Sequence, residues 1–218
     1  MAGVAEDGRD REALDSVREI LGTEHGIRLV WEPFHDYDPK IGSISIVLPG
    51  TKENGSVFTH PNPWVMCAET VIGRGGNAVD YFHRINPAAK NDRLDVYKVE
   101  PYVFTQWTGL PPFKHVGRGA NPWLTGSAAW MMLASSQYIM GLKPEYDGLR
   151  IDPCVPAGWT AFEMTRVFRG ATFNIHVSNP DGVEKGVASV TLDGKAVHGN
   201  LIPVQPAGTE HDVEVVMG

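Results

Sequence analysis

The chain has 218 residues, with 42% apolar and 21% charged residues and a formal net charge of −7. This composition is that of an ordinary globular protein, and the negative charge argues against nucleic acid and an anionic membrane surface as partners. Residues 1–10 hold no apolar run, so we expect no secretory signal. Cys67 and Cys154 lack metal-ligand spacing and are expected to be buried reduced thiols of a cytoplasmic chain.

The first part of the chain predicts helices joined by loops. Residues 8–21 predict an amphipathic helix that Gly22 ends, and the irregular segment 23–60 suits the wall of a sugar pocket or, alternatively, a packed non-catalytic loop. Asn62-Pro63 pairs a capping residue with a first-turn proline and predicts a helix to Ile72. After a turn at 73–76, further helices are expected over 77–85 and 101–106.

The segment from 122 to 140 carries no charged residue and predicts a helix between Asn121-Pro122 and Gly141. A helix with no charged face is buried inside a larger body, and the polar residues within this one argue against a membrane span. Thr125 and Gly126 in its first turn suit an anion, because free N–H groups and the helix dipole point outward there. Alternatively, Thr125 caps the helix and Gly126 permits close packing.

After Pro144 the pattern changes to short β-like segments separated by turn residues, which is typical of an antiparallel sheet. These segments cover 148–152, 162–169, 171–177, 187–192 and 211–217. The chain therefore divides into a helical domain, 1–142, and a β domain, 143–218, and its fold class is α+β. About five helices cannot surround the apolar inner helix evenly, so we expect the helical part to be the tail of a larger helical domain.

Several strings along nearly the whole chain resemble the C-terminal portion of glycoside hydrolase family 94, the cellobiose, cellodextrin and chitobiose phosphorylases and their relatives. They are TKENGSVFTHPNPW (51–64), RINPAAKNDRLDVYKVEPYV (84–103), NPWLTGSAAW (121–130), GLKPEYDGLRIDPCVPAGW (141–159) and FRGATFNIHVSNP (168–180). The resemblance implies the last part of an (α/α)6 barrel followed by a small antiparallel β-sandwich domain.

The resemblance also implies inverting phosphorolysis of β-linked glucosyl disaccharides or oligosaccharides of the cellobiose or cellodextrin type to α-glucose 1-phosphate. An Asp general acid and a phosphate-binding Arg are expected upstream, so no catalytic residue is assigned in this chain. His60, Thr125 and Gly126 match the family residues that bind phosphate, which is a co-substrate, and no cofactor is implied. The histidines show no metal-ligand spacing, so we expect no metal.

For the sugar site, Glu100 in YKVEPYV is the best candidate in this chain, together with Tyr97 and Tyr102. The alternative is a buried, hydrogen-bonded Glu100 that organises the barrel. The expected partners are a β-glucan disaccharide or oligosaccharide, phosphate and the remainder of the barrel, with no membrane and with a homodimer left open.

Three alternatives to a cellobiose-type enzyme remain open. The HPNPW and WLTG strings are also similar to the chitobiose type. A non-catalytic carbohydrate-binding or interaction fragment is a second alternative, since the general acid is expected elsewhere. The phosphorylase-like tail of a cyclic β-glucan synthase is the third.

Overall fold

A computed structural model describes residues 4–218 of the chain. Met1–Gly3, part of the segment in which we expect no secretory signal, lie outside the described residues. The α-helices are α1 (Arg9–Ser16), α2 (Asn62–Val71), α3 (Gly75–Ile85), α4 (Leu94–Tyr97) and α5 (Ser127–Leu133). A π-helical turn over Val17–Leu21 continues α1, and a π-helical stretch over Ala134–Ile139 continues α5. Two 3-10 helices cover Ser43–Ile46 and Pro87–Arg93.

The strands form four sheets in the described part of the chain. Those before α5 are β1 (Gly22–Thr23), β2 (Gly26–Ile27), β3 (Val57–Phe58), β4 (Thr105–Thr108) and β5 (Gly119–Pro122). Those after it are β6 (Leu142–Pro144), β7 (Gly148–Ile151), β8 (Ala161–Phe168), β9 (Ala171–Ser178), β10 (Ser189–Leu192), β11 (Lys195–Val197), β12 (Leu201–Pro203) and β13 (Glu210–Val216).

The chain forms two compact units. Residues up to Ala68 together with Asp80–Met132 form the first unit, and Glu69–Val79 with Leu133–Gly218 form the second. The first unit contains the β1–β2 pair and a three-stranded sheet in the order β3-β4-β5. Its core includes the side chains of Val57, Met66, Tyr81 and Leu110, each at most 2% exposed.

The second unit holds a five-stranded sheet in the order β11-β10-β13-β9-β8 and a three-stranded sheet in the order β12-β7-β6. Along β9, buried and part-exposed side chains alternate, so one face of the five-stranded sheet is covered and the other is open. The expectation of a wholly antiparallel domain is wrong in one place, because β13 pairs parallel to β9. The long path from β9 to β13, which includes β10, β11 and β12, allows the chain to return in the same direction.

The predicted helix boundaries are confirmed where local signals decide them and fail where pairing with distant strands decides them. Helices α2 and α3 are present as predicted, but α3 begins at Gly75, within the turn predicted at 73–76. The helix predicted over 101–106 is absent, because Thr105 begins strand β4. The helix predicted from 122 is also wrong at its start, because Pro122 belongs to β5 and pairs with Thr105.

Some apolar side chains before and along α5 are exposed in this chain, whereas Met131 is buried. Leu124 is 68% exposed and Met132 is 62% exposed. Trp64 and Trp130 contribute to an open apolar groove that Leu14, Pro61, Val65 and Ala68 also line. Within residues 4–218, none of the helices combines the length and hydropathy needed to cross a bilayer.

Candidate functional site

The sheet β3-β4-β5 explains how two segments far apart in sequence come together. Both β3 and β5 pair antiparallel to β4. They therefore run in the same direction on either side of β4, and the residues that follow them leave the sheet at the same end. Thr59 extends this pairing, since its N–H donates to the carbonyl of Gln106 at 2.9 Å. His60 follows at once, and Thr125 and Gly126 follow the end of β5.

The side chain of His60 lies against the backbone of Gly126. A Cβ built on Gly126 would be 2.8 Å from Cε1 of His60 and 3.3 Å from its Nδ1. A separation under 3.0 Å is too short for real carbon atoms, so only glycine fits at position 126 while the imidazole stays where it is. The predicted site residues from the two segments are thus in contact.

A row of aromatic rings supports the imidazole of His60. Its ring meets that of Trp64 edge to face, with 5.5 Å between centroids and an interplanar angle of 78°. The ring of Trp64 in turn meets that of Trp130 at 5.5 Å and 80°. Edge-to-face contacts of this kind stabilise one ring orientation beyond the effect of burial alone. Trp64 lies in α2 and Trp130 in α5, so these two helices start side by side.

Thr125 caps α5. The N–H of Ser127 donates to Oγ1 of Thr125 at 3.2 Å, and the two hydroxyl oxygens are 2.6 Å apart. The capping role considered in the sequence analysis is therefore present. It is compatible with anion binding, because when Ser127 donates within the hydroxyl pair, the proton of Thr125 can donate to a ligand.

Asn62 anchors the segment that carries His60. Its amide oxygen accepts the N–H of Ile27 at 2.8 Å, and its amide nitrogen donates to the carbonyls of Ile27 at 3.0 Å and Phe58 at 2.9 Å. The side chain is 2% exposed. Asn62 was expected to cap α2, but its side chain instead joins β2 to the end of β3 and fixes the position from which His60 projects.

The model of the glycosyl hydrolase 94 superfamily catalytic domain matches residues 1–141 of the chain. The chain belongs to this family. Two similar relatives are N,N'-diacetylchitobiose phosphorylases, from Vibrio furnissii at 40% identity and from Vibrio proteolyticus at 41% identity, each matched over 100% of this chain and 27% of the relative. The solabiose phosphorylase of Paenibacillus borealis is 35% identical over 100% of this chain and 28% of the relative. The chain therefore spans about a quarter of the length of these curated relatives.

The family 94 chain places the three sugar-site candidates in different environments. Tyr97 is 3% exposed, its ring packs against Gly119, and burial raises the pKa of its phenol despite hydrogen bonding with Thr105. Glu100 is exposed, and its carbonyl accepts the N–H of Val103 at 3.1 Å in a turn. Because Tyr97 lies in the core, its side chain supports the fold in this structure, while the side chain of Glu100 is exposed in this chain.

Tyr102, the third candidate, is 72% exposed and meets Trp123 edge to face at 6.5 Å and 66°. Trp123 is not among the predicted site residues, because the sequence pattern places it within the apolar helix. The supporting rings of Trp64 and Trp130 were also missed. The four-residue spacing from His60 to Trp64 was the available signal for the first of them.

Proposed function

We propose that this chain supplies part of the phosphate site of an inverting glycoside phosphorylase. In this proposal, the imidazole of His60, the hydroxyl of Thr125 and the N–H of Gly126 bind inorganic phosphate. The observation that carries the proposal is the position of the His60 ring against Gly126, where an added Cβ would lie 2.8 Å from Cε1. Membership of family 94 and the phosphorylase names of the relatives support it.

The proposed donors suit an oxyanion. A ring N–H of His60 and the hydroxyl of Thr125 donate hydrogen bonds, which are roughly twice as strong when the acceptor is charged. Gly126 precedes α5, which continues in π-helical form to Ile139, so the positive end of its dipole faces the same point. Phosphate requires a local site of this kind because the net charge of the whole chain is −7.

Bound phosphate is both nucleophile and anion in the proposed reaction. A phosphate oxygen attacks the anomeric carbon from the face opposite to the glycosidic bond, and that bond breaks. An Asp outside this chain protonates the departing oxygen, so the products are an α-sugar 1-phosphate and a free sugar. The role of His60 and Thr125 is to hold phosphate at the distance and orientation required for attack.

The substrate we propose is a β-linked disaccharide, with N,N'-diacetylchitobiose as the first to test. The resemblance of the sequence strings favours the cellobiose or cellodextrin type. The names of the relatives at 40% and 41% identity favour the chitobiose type, which the sequence leaves open as an alternative. Solabiose, named for the relative at 35% identity, and cellobiose are the comparison substrates.

A chimera tests the phosphate role in a working enzyme. This chain replaces the matching quarter of the Vibrio furnissii phosphorylase, and phosphorolysis is followed with phosphate and saccharide varied separately. We expect His60→Ala to raise the phosphate KM by about 10- to 100-fold, as loss of a charged hydrogen bond does, with a much smaller change in the saccharide KM. His198→Ala, at an exposed position after β11, is the matched control. An unchanged phosphate KM in His60→Ala would reject the assignment.

The unfused chain provides a second test. Because we expect the general acid and the phosphate-binding Arg to lie upstream, the purified chain should bind phosphate without catalysing phosphorolysis. Incubation with phosphate and N,N'-diacetylchitobiose or cellobiose should yield no sugar 1-phosphate. Clear turnover would show that this chain carries its own general acid.

A further inference from the structure

Two large aromatic side chains, one of them two residues before Thr125, are exposed in the first unit. Trp123 is 68% exposed and Tyr102 is 72% exposed. Their rings meet edge to face with centroids 6.5 Å apart and an interplanar angle of 66°, so the edge of one ring lies against the other. A Trp–Phe pair in the second unit, Trp159 and Phe162, has similar geometry at 5.9 Å and 69°, but neither of these side chains is exposed to the same degree.

The backbone at Trp123 is unfavourable for a residue of this size. Its φ is 69°, in the left-handed region that glycine adopts readily and bulky residues rarely do. Asn121, on the other side of Pro122, has a φ of 51°, which an asparagine tolerates more easily. Because the Trp123 ring is mostly exposed, packing in this unit does little to offset the strain. Strained residues of this type cluster at functional sites.

Hydrogen bonds hold the segment that carries Trp123 at the same end of the sheet as His60. The amide nitrogen of Asn121 donates to the side-chain oxygen of Gln106 at 2.9 Å. The carbonyl of Gln106 accepts the N–H of Thr59, next to His60. Trp123 precedes Thr125 by two residues, so its backbone lies next in the chain to the groups proposed to bind phosphate.

We propose that Trp123 and Tyr102 form an aromatic platform that stacks on a pyranose ring of the saccharide held next to the phosphate. This inference rests on the proposed function and adds the saccharide contact to it. The C–H face of a pyranose is apolar and matches the flat indole, and the phenol hydroxyl of Tyr102 can hydrogen-bond a sugar hydroxyl. An aromatic surface with a polar group at its edge is what sugar recognition requires, whereas a purely apolar partner would leave that hydroxyl unpaired.

The test follows the indole N–H signals of the 218-residue chain by NMR during titration with N,N'-diacetylchitobiose and, separately, cellobiose. We expect the Trp123 signal to shift and saturate with at least one sugar, with a dissociation constant on the order of millimolar for so small a contact. The two variants at this position lack the reporting indole, so isothermal titration measures their affinity. Trp123→Gly should weaken binding at least about tenfold, while Trp123→Phe, which keeps a flat ring, should stay within about threefold. Trp159→Phe is the control and should bind as the unchanged chain does.

Melting temperature separates this role from a structural one. Glycine relieves the strain at a φ of 69°, so Trp123→Gly should melt no lower than the unchanged chain. A lower melting temperature, or a Trp123 signal that responds to protein concentration but not to either sugar, would overturn the platform and indicate a packing surface. Titration of phosphate alone into the unchanged chain and into His60→Ala tests the phosphate role independently. If the two bind phosphate equally, or neither binds it, while the Trp123 signal of the unchanged chain still saturates with sugar, the phosphate role is rejected and the platform is retained.

Discussion

The imidazole of His60 occupies the space that a side chain at Gly126 would need, since a Cβ there would lie 2.8 Å from Cε1 of the ring. His60 and Gly126 are far apart in the sequence but lie directly against each other. Strands β3 and β5 both pair antiparallel to β4 and finish at the same end of the sheet, which brings the residues that follow them together. The pair therefore offers the most direct way to disturb the site without removing either functional group.

Gly126→Ala is expected to displace the His60 ring and weaken phosphate binding at least about tenfold, because a misplacement of about 1 Å is enough to disrupt a site of this kind. Gly126 does not have a positive φ, so its backbone accepts alanine without strain. Isothermal titration with inorganic phosphate measures the loss. Gly158→Ala is the matched control, since its Cβ would meet nothing within 4 Å. Equal phosphate affinity in the two variants would show that the ring position is irrelevant.

Asn62→Ala should destabilise the first unit by about 2 to 4 kcal/mol, because three buried hydrogen bonds lose their partner at once. Asn62→Asp should also destabilise it, since a carboxylate cannot donate to the carbonyls of Ile27 and Phe58. Urea denaturation followed by tryptophan fluorescence measures the change. Asn91→Ala, at an exposed position, serves as the control and should change little. Similar midpoints for Asn62→Ala and the control would refute this account.

Asp152 should make the stability of the second unit depend on acid. Its Oδ2 lies 3.2 Å from Nζ of both Lys143 and Lys185. Burial alone would raise the carboxyl pKa, but the two ammonium groups outweigh it and the net pKa is lowered. As the pH falls through about 4, the Asp152 carboxyl therefore binds a proton in the unfolded chain before it does so in the folded chain. The ion pairs stabilise the fold fully above that pH, and this stabilisation is lost as the pH falls through the folded pKa.

We expect Asp152→Asn to lower the free energy of unfolding by about 1 to 3 kcal/mol at neutral pH, as for a partly buried ion pair, with the difference from the unchanged chain vanishing in acid. Denaturation curves at pH 7 and near pH 3 test this. Asp92→Asn, which alters an exposed pair with Arg93, should have no measurable effect at either pH. A difference that persists undiminished in acid would mean that packing, not charge, gives Asp152 its role.

Cys154 should be unreactive in the folded chain. The residue is fully buried, and burial raises the pKa of its thiol to about 11. In a Cys67→Ala background, a thiol reagent at pH 8 should modify Cys154 only as fast as the unit opens, and urea should expose it. Above a pH of about 8.5, the unfolded thiol loses its proton before the folded one, so stability should fall with rising pH. Rapid modification without denaturant would contradict this burial.

Local sequence signals predict the elements of this fold that local interactions determine. Asn62-Pro63 and the glycines around 73–76 locate α2 and α3, and alternation locates β8 and β9. The same Asn-Pro signal fails at 121–122, because pairing of Pro122 with Thr105 across the sheet overrides it. His60, Thr125 and Gly126 are proposed as phosphate ligands from the resemblance to family 94, and that role stays a prediction. Trp123 could not be proposed from the sequence, because exposure and a positive φ are properties of the folded chain.

The position of β13 in the middle of its sheet has a consequence for biosynthesis. The strands on either side of it, β9 and β10, are translated earlier, and β13 pairs with both. Until the ribosome has delivered Glu210–Val216, the hairpins β8–β9 and β10–β11 are two separate ribbons with open edges. The five-stranded sheet is therefore completed only after nearly all residues of the second unit have left the exit tunnel. A nascent chain that stalls before β13 exposes unpaired strand edges, to which chaperones or neighbouring nascent chains can bind.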